Sequence, residues 1–318
     1  MALAHKKREM NMTKHAIDVV KVIQQISKQL QSAYKDSILC QQYAWWILEA
    51  ITKKTKTTLI SQETIIIAPT QQKIIEEWLA KLINEKMPIQ YLIGFVPFNS
   101  VKILVKPPIL IPRPETEEWC LKLIKQLHTL ENKKLTILDL CAGSGCIALA
   151  LAKNFPQAII YASDLSQEAI TLIKQNIAHN KISNIIPLHS DLFTAIPLKM
   201  QFDLIVANPP YVSLSAWKQL DDSVASWEDP NALIAGDDGL TILRKIIKQA
   251  PIFIKPNNEM KEKSIPQLIM EIGDQQGEDA ITLLKNADYN NILVQKDLEQ
   301  KDRTVSGRID NVATSFTQ

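Results

Sequence analysis

The sequence predicts an α/β protein in two parts, a small N-terminal helical domain and a larger domain built around a sheet. Residues 14–86 carry apolar repeats of helical period and no glycine. From residue 135 onward, short apolar segments alternate with helical ones, which is typical of a parallel sheet covered on both faces. The first of these segments runs into a Gly-x-Gly turn, in a chain that has only 8 glycines.

The N-terminal domain is predicted to be a helical bundle over residues 1–86. Ile23, Ile26 and Leu30 continue one helical face, and only Pro69 interrupts the later helices. Residues 1–14 are basic but have no apolar core, which favours a solvated tail over a secretion signal. A degenerate organellar transit peptide is the alternative for this tail.

Residues 87–112 are predicted to form a β-hairpin linker. Tyr91-Leu-Ile-Gly-Phe-Val-Pro-Phe98 is followed by an alternation of apolar and polar residues that begins at Val101. A helix is then expected to start at Pro114, because proline suits the first helical turn and the acidic Glu115 and Glu117 favour a helix N-terminus. That helix begins the third part, residues 113–318.

The sheet of this third part is predicted from seven apolar segments. The expected strands are 135–140, 159–163, 185–189, 202–207, 267–272, 292–295 and 303–308, and the expected helices between them are 146–153, 167–180, 240–250 and 278–287. In such sheets ligands bind at the carboxyl ends of the strands, so the residues that follow each strand are the candidate site.

The first strand end has the composition of a nucleotide-binding turn. Gly143 and Gly145 allow a ligand to approach the backbone closely, and Asp164 at the end of the second strand can accept hydrogen bonds from both ribose hydroxyls. This pattern fits NAD as well as S-adenosyl-L-methionine. The structural alternative is a tight turn with Asp164 capping the next helix.

The third strand ends at Ser190-Asp-Leu-Phe193. Asp191 can accept from an adenine amino group while Leu192 covers the ring. The alternative is an ordinary turn at the end of a strand.

Asn208-Pro-Pro-Tyr211 follows the fourth strand and is the candidate reaction site. Two adjacent prolines end the strand and hold an amide side chain, carbonyls and an aromatic ring at fixed angles. Such a corner can receive both hydrogens of a planar NH2 group, the geometry needed to methylate an amide or aromatic amine. Asn-Pro is also a common turn opener, so the motif alone does not distinguish a site from a turn.

Charge and cysteine content exclude several classes of protein. The net charge of +2 gives no support to a protein that grips a phosphate backbone, and no apolar stretch approaches the roughly 20 residues of a membrane helix. The four cysteines show no CxxC pair, so neither a metal site nor a disulfide framework is expected. Carboxylates after the Asn-Pro-Pro-Tyr motif are expected to form a solvated rim: Asp221, Asp222, Glu228, Asp229, Asp237 and Asp238.

Taken together, the strand ends resemble class I methyltransferases, and more closely the HemK-type (PrmC-like) family of release factor glutamine methyltransferases. The resemblance covers about residues 88–308. It is carried by Tyr91-x-x-Gly94, Ile111-Pro-Arg-Pro-Glu-Thr-Glu117, residues 139–148, Ser190–Phe193, Asn208-Pro-Pro-Tyr211, Trp227-Glu-Asp-Pro-Asn-Ala-Leu233, Gly236–Leu240, Glu271–Gln275 and Asp302–Arg308. Two departures are Cys141, where glycine is usual, and a polar insertion within residues 256–266, which we expect to be a longer surface loop.

The resemblance implies a seven-stranded, Rossmann-like methyltransferase domain and a protein-(glutamine-N5) methyltransferase that acts in translation termination. Its implied cofactor is S-adenosyl-L-methionine, contacted by Cys141, Ala142, Gly143, Ser144, Gly145, Asp164, Leu192 and Asn208. The substrate glutamine would be held by Asn208, Pro209, Pro210 and Tyr211. No metal is implied.

The implied partners are peptide chain release factors, recognised through the helical domain by a cytoplasmic monomer that binds neither membrane nor nucleic acid. A nucleic-acid amino methyltransferase, acting on adenine N6 or guanine N2, is the alternative, because the same corner also serves exocyclic amines. Arg113 is expected either to pair with carboxylates where the domains meet or to contact the protein substrate.

Overall fold

The computed structural model describes residues 16–131 and 134–309, so the predicted basic tail over residues 1–14 lies outside the described residues. The chain divides into two compact units between Ile93 and Gly94. The first unit contains α1 (Val19–Leu30), α2 (Ser37–Thr52), α3 (Lys56–Gln62), α4 (Pro69–Asn84), α5 (Ile89–Ile93) and a two-stranded pair, β1 (Ile17–Asp18) with β2 (Thr64–Ile65). The predicted helical bundle is confirmed, and the β1–β2 pair was not predicted because two-residue strands show no periodicity.

Polar caps set the starts of these helices. Asp18, Asp36 and Thr55 accept hydrogen bonds from backbone N–H groups in the first turns of α1, α2 and α3. Pro69 occupies the first turn of α4, where its missing N–H costs nothing. The apolar faces, including Ile26, enclose a core of buried aliphatic side chains.

The second unit begins with a hairpin, β3 (Phe95–Phe98) and β4 (Val101–Leu104), which we predicted as a linker between domains. The unit continues through α6 (Pro114–Leu127), β5 (Thr136–Leu140), α7 (Cys146–Asn154), β6 (Ile159–Asp164), α8 (Gln167–Asn180), β7 (Ile185–His189), β8 (Leu204–Ala207), α9 (Leu214–Trp217), α10 (Asp222–Ala225), a 3₁₀ turn (Pro230–Ala232), α11 (Thr241–Phe253), α12 (Asn258–Glu262), β9 (Leu268–Glu271), α13 (Gly277–Asn286), β10 (Asn290–Lys296) and β11 (Asp302–Arg308). The hairpin therefore belongs to the same unit as the sheet.

One buried asparagine fastens the hairpin to the sheet's first turn. The side-chain oxygen of Asn176, on α8, accepts from the Leu104 N–H at 2.7 Å, and its Nδ2 donates to the Leu104 carbonyl at 3.1 Å. The same Nδ2 donates to the Ser144 carbonyl at 2.9 Å. Hairpin, α8 and the turn after β5 thus share a single amide side chain.

The main sheet has seven strands in the order β10-β11-β9-β8-β5-β6-β7, which confirms the Rossmann-like seven-stranded fold. Five strands are parallel, but β11 runs antiparallel to both β9 and β10. The predicted parallel sheet is therefore mostly parallel, and the antiparallel β11 was not predicted. The residues between β10 and β11 are too few for the crossover that parallel neighbours require.

The segment 256–266 also differs from its prediction as a surface loop. It contains α12, whose first turn is capped by the Asn257 side chain accepting from the Met260 N–H. Met260 is fully buried and fixes the short helix to the domain.

The strand order places the candidate site. From β5 the chain moves outward to β6 and β7, and then returns to the other side of β5 as β8 and β9. Such a reversal opens a crevice at the carboxyl ends of the two central strands. These ends are Leu140 and Ala207, so Cys141 and Asn208 stand side by side at the crevice.

Candidate active site

A cavity of about 460 Å³ lies at this crevice, within the 300–1,000 Å³ common for ligand pockets. Its lining includes six of the residues assigned to the two predicted sets: Cys141, Gly143, Asp164 and Leu192 from the cofactor set, Pro210 from the acceptor set, and Asn208 from both. The other predicted residues, Ala142, Ser144, Gly145, Pro209 and Tyr211, are not among the lining residues. The structure therefore brings the ends of four strands to one cavity.

The turn after β5 is held by its backbone conformation. Cys141, Gly143 and Gly145 all have positive φ, at 56°, 54° and 80°. A Cβ at Gly143 would have nothing within 4 Å, so the backbone there is open to a ligand. A Cβ at Gly145 would instead lie 2.9 Å from Leu149 Cδ1. Only Gly143 therefore fits the predicted role of ligand approach, whereas Gly145 is required by packing.

Asp164 at the end of β6 is tied to this turn. Its Oδ2 accepts from the Gly143 N–H and its Oδ1 from the Ser166 N–H, both at 2.8 Å. The cap of α8 is Ser166, which accepts from Ala169, and not Asp164. Burial raises the pKa of the Asp164 carboxyl, and the two backbone donors oppose that shift. Each carboxylate oxygen keeps a lone pair for a further donor.

Leu192 presents an apolar surface to the cavity from a strained backbone. Its φ is 48° and its side chain is nearly buried. Ser190 stabilises the turn, since its hydroxyl donates to the Leu192 carbonyl at 2.9 Å and accepts from the Ala195 N–H at 3.0 Å. The neighbouring Asp191 also lines the cavity.

The Asn-Pro-Pro-Tyr corner is held by side chains from distant parts of the chain. Asn208 Nδ2 donates to Thr116 Oγ1 at 3.3 Å, and the Tyr211 hydroxyl donates to Glu271 Oε1 at 3.3 Å. Thr116 lies in the first turn of α6, and Glu271 is the last residue of β9. The corner therefore connects β8 with a helix and a second strand.

Glu271 is the centre of this network. Its Oε2 accepts from the Thr116 hydroxyl at 2.7 Å and from Trp119 Nε1 at 2.8 Å. Burial raises the pKa of the Glu271 carboxyl, while these donors and the charge of Arg303 lower it. Burial and the Glu271 charge also raise the pKa of the Tyr211 phenol. Sequence reasoning did not select Glu271 as a site residue, although a glutamate inside an apolar strand was a usable signal.

A second set of contacts holds the backbone of the Asn-Pro-Pro-Tyr corner at Tyr211. Gln276 Nε2 donates to the Tyr211 carbonyl at 3.0 Å, while its Oε1 accepts from the Gly273 N–H at 2.8 Å. Gly239, with φ at 74°, lies against the same carbonyl, and a Cβ there would overlap the Tyr211 oxygen. The backbone at Tyr211 is thus fixed on two sides.

Arg113 forms an ion pair within the domain. Its Nη2 contacts Glu228 Oε2 at 2.5 Å, and Glu228 Oε1 accepts from the Ile111 N–H at 3.2 Å. Glu228 is 3% exposed, so its assignment to a solvated rim was wrong. The predicted pairing of Arg113 with a carboxylate is the arrangement found.

Several cavity residues were missed because their positions, at the end of a strand, in a loop or in the first turn of a helix, show no periodic pattern. They are Ile109, Glu168, His189, Asp229, Asn231 and Ile242. The only signal for Asp229 was its place in the Trp227–Leu233 run, where it caps a 3₁₀ turn. His189 Nε2 contacts the Leu165 carbonyl at 2.7 Å.

The described residues contain neither a candidate metal site nor a helix that could span a membrane. Within residues 16–131 and 134–309, no group of three or more His, Cys, Asp and Glu side chains is arranged to hold a metal ion. Across the same ranges, no helix combines the length and apolar character needed to span a bilayer.

Comparison with known proteins identifies related sequences in both units. Residues 21–94 match the PrmC N-terminal domain, and residues 121–224 match the methyltransferase small domain. A release factor glutamine methyltransferase of Thermodesulfovibrio yellowstonii is 36% identical over 238 residues, covering 75% of this chain and 80% of that protein. The enzyme of Flavobacterium psychrophilum is 33% identical, covering 83% and 90%, and that of Coxiella burnetii is 31% identical, covering 92% and 99%.

Proposed function

The chain belongs to the release factor glutamine methyltransferase family, and from that premise we propose its reaction. It transfers a methyl group from S-adenosyl-L-methionine to the side-chain amide nitrogen (N5) of a glutamine. The acceptor is the glutamine of the Gly-Gly-Gln motif in peptide chain release factors. The observation that carries the proposal is that Asn208 and Pro210 line the same cavity as Gly143 and Asp164.

The cofactor end fits S-adenosyl-L-methionine. Gly143 leaves the backbone open, Asp164 retains acceptor capacity for ribose hydroxyls, and Leu192 offers an apolar face for the purine. Cys141, Ala142, Ser144 and Gly145 complete the proposed binding turn. When bound, the cofactor supplies an electrophilic methyl group on a sulfonium.

The acceptor end must orient a poor nucleophile. An amide nitrogen has its lone pair delocalised into the carbonyl and is too weak an acid for a general base to help. Asn208 Oδ1 and the Pro209 carbonyl would accept its two N–H bonds, stabilise the developing positive charge and direct the lone pair, with Pro210 and Tyr211 beside the amide plane. Positioning and electrostatics of this kind contribute several kcal/mol to a barrier.

The charge of the lining favours a protein acceptor over a nucleic acid. In the described part of the chain, the cavity is lined by Asp164, Glu168, Asp191 and Asp229 and by no lysine or arginine. This set of carboxylates repels a phosphate backbone. The N-terminal helical unit would recognise the release factor, and the enzyme would act as a monomer in the cytoplasm without direct contact to nucleic acid.

The experiment is methyl transfer from labelled S-adenosyl-L-methionine to a purified release factor. Label is expected on the wild-type factor and not on a factor whose Gly-Gly-Gln glutamine is replaced by alanine. Total RNA and DNA serve as parallel acceptors. Labelling of nucleic acid without labelling of the factor would contradict the proposal and support the amino methyltransferase alternative.

A further inference from the structure

We propose that Thr116 and Glu271 are positioning residues that fix which way the Asn208 amide faces. They hold its nitrogen away from the glutamine amide that accepts the methyl group and leave its oxygen facing the NH2 group of that amide. This inference rests on the proposed function, since it assigns how the same corner receives its substrate. It is carried by the chain of contacts from Glu271 Oε2 through Thr116 Oγ1 to Asn208 Nδ2.

The first step is a count of protons at the Thr116 hydroxyl. A threonine hydroxyl has one hydrogen to donate and two lone pairs. Its hydrogen is directed to Glu271 Oε2 at 2.7 Å, a charge-assisted bond. Thr116 Oγ1 can therefore only accept from Asn208. Of the two ends of the amide, only the NH2 group can satisfy that position.

The second step is that Glu271 acts as an acceptor only. Its two oxygens receive three donors, from Thr116 and Trp119 at Oε2 and from Tyr211 at Oε1. The indole N–H cannot accept a hydrogen bond, so at least this donor requires a lone pair of Glu271. The ionised form satisfies all three at once. The charged group that acts on it is the Arg303 guanidinium, and the neutral Tyr211 phenol acts on it as a hydrogen-bond donor.

The third step is the consequence for an incoming amide. The two ends of an asparagine side chain have nearly the same shape, so packing alone distinguishes them poorly. If the NH2 end of Asn208 faced the acceptor NH2, two donors would oppose each other and the nitrogen could not be oriented. The Thr116–Glu271 pair removes that wrong orientation before substrate arrives. Neither residue lines the cavity, so the pair acts through the Asn208 side chain.

The test compares Thr116→Val with Thr116→Ser. Valine keeps the shape and loses the hydroxyl, whereas serine keeps the hydroxyl. We expect Thr116→Val to lower kcat for release factor methylation about tenfold to a hundredfold, the cost of a misoriented reacting group. The Kd for S-adenosyl-L-methionine should change less than about twofold in both variants. Thr116→Ser should recover most of the rate.

A substrate-free readout accompanies the kinetics. The side-chain amide protons of Asn208, assigned by their absence in Asn208→Asp, should resonate at hydrogen-bonded positions in wild type and Thr116→Ser. In Thr116→Val they should move toward the free asparagine position. Thr282→Val, which removes an exposed hydroxyl on α13, is the matched control and should leave rate and spectrum unchanged.

The outcomes separate the two proposals. If wild type methylates the factor and Thr116→Val is as fast as Thr116→Ser, the positioning role is overturned while the proposed function stands. If wild type fails to methylate the factor, the proposed function falls, and the Asn208 resonances still decide the orientation. Unchanged amide resonances in Thr116→Val would overturn the inference regardless of activity.

Discussion

The two ends of the active site are built in different ways. The cofactor end is held by local backbone geometry, with positive φ at Cys141, Gly143 and Gly145 and a carboxylate that accepts two backbone N–H groups. The acceptor end is held by side chains that are far apart in sequence, as in the Thr116–Glu271 bond across 155 positions. The backbone conformation of the first end is therefore set within a short segment, while the second end depends on contacts between distant parts of the domain.

Because of this difference, we expect substitutions at the two ends to affect cofactor binding and the rate of methyl transfer separately. Substitutions at the cofactor end should change affinity for S-adenosyl-L-methionine or the stability of the turn. Substitutions at the acceptor end should change the rate of transfer and leave the cofactor bound. Each prediction below tests one side of that division.

The largest effect is expected from Asn208→Ala. Loss of the Asn208 side-chain oxygen as a hydrogen-bond acceptor should lower kcat about a thousandfold. This is in the range found when one preorganised group that stabilises developing charge is removed. The free energy of unfolding should change by less than about 1 kcal/mol, because the side chain makes a single 3.3 Å bond. Asn154→Ala, which removes a one-bond asparagine outside the cavity, is the control. Turnover near wild type in Asn208→Ala would contradict the assigned role.

Asp164→Asn should act on binding. The variant keeps the shape but loses the charge, and its NH2 end would oppose one of the two backbone donors. We expect the Kd for S-adenosyl-L-methionine to rise about tenfold to a hundredfold, as for the loss of hydrogen bonds to a charged group. Calorimetric titration measures it directly. A larger increase of the Kd for S-adenosyl-L-methionine in Asn208→Ala than in Asp164→Asn would contradict the division into a cofactor end and an acceptor end.

Gly145→Ala and Gly143→Ala form a matched pair for the stability of the turn. Both residues have positive φ, but only a Cβ at Gly145 meets Leu149 and Ile173, at 2.9 and 3.1 Å. We expect Gly145→Ala to lower the free energy of unfolding by about 2 kcal/mol and Gly143→Ala by about 1 kcal/mol. Urea unfolding tests the difference. Equal losses would show that packing against α7 and α8 is not the reason for glycine at 145.

A pH dependence of stability is expected at Asp139, in the strand that leads to the turn. Burial raises the pKa of this carboxyl to about 8, and its Oδ2 accepts from the Ala148 N–H. Because the folded pKa lies above the unfolded one, the native state binds a proton that the unfolded state releases. Stability from this group is therefore lost as pH rises from about 4 toward 8.

Asp139→Asn should remove that dependence. As pH rises, the free energy of unfolding of Asp139→Asn should increase relative to that of wild type, by up to about 1.4 kcal/mol per pH unit. Urea unfolding between about pH 5.5 and pH 7.5 measures the trend. Parallel pH profiles for wild type and Asp139→Asn would show that the carboxyl is ionised throughout.

The same contrast explains what the sequence could predict. Gly143, Asp164 and Leu192 follow strands with clear apolar patterns, so their convergence follows from the rule that ligands bind at strand ends. Asn208-Pro-Pro-Tyr211 was identifiable because two prolines end a strand abruptly. The sheet order, however, does not follow from strand and helix patterns. The antiparallel direction of β11 was missed, although its short connection to β10 was a usable signal.

The supporting residues were not predictable in the same way. Glu271 and Glu228 are acidic residues whose burial depends on partners more than a hundred positions away. Glu228 was read as part of a solvated rim because charge patterns describe only the chain's immediate neighbourhood. Its pairing with Arg113 exists only once the loop before α6 and the segment after α10 are in place.

The Asn176 amide has a consequence for engineering this fold. By pairing with both the N–H and the carbonyl of Leu104, it acts as one peptide unit of an additional strand, while its remaining hydrogen reaches the Ser144 carbonyl. Moving the Gly-x-Gly turn into another scaffold without the hairpin would leave the buried Asn176 amide with unsatisfied hydrogen-bonding groups. The hairpin and the turn therefore form one structural unit. They can be transferred to another scaffold together but not separately.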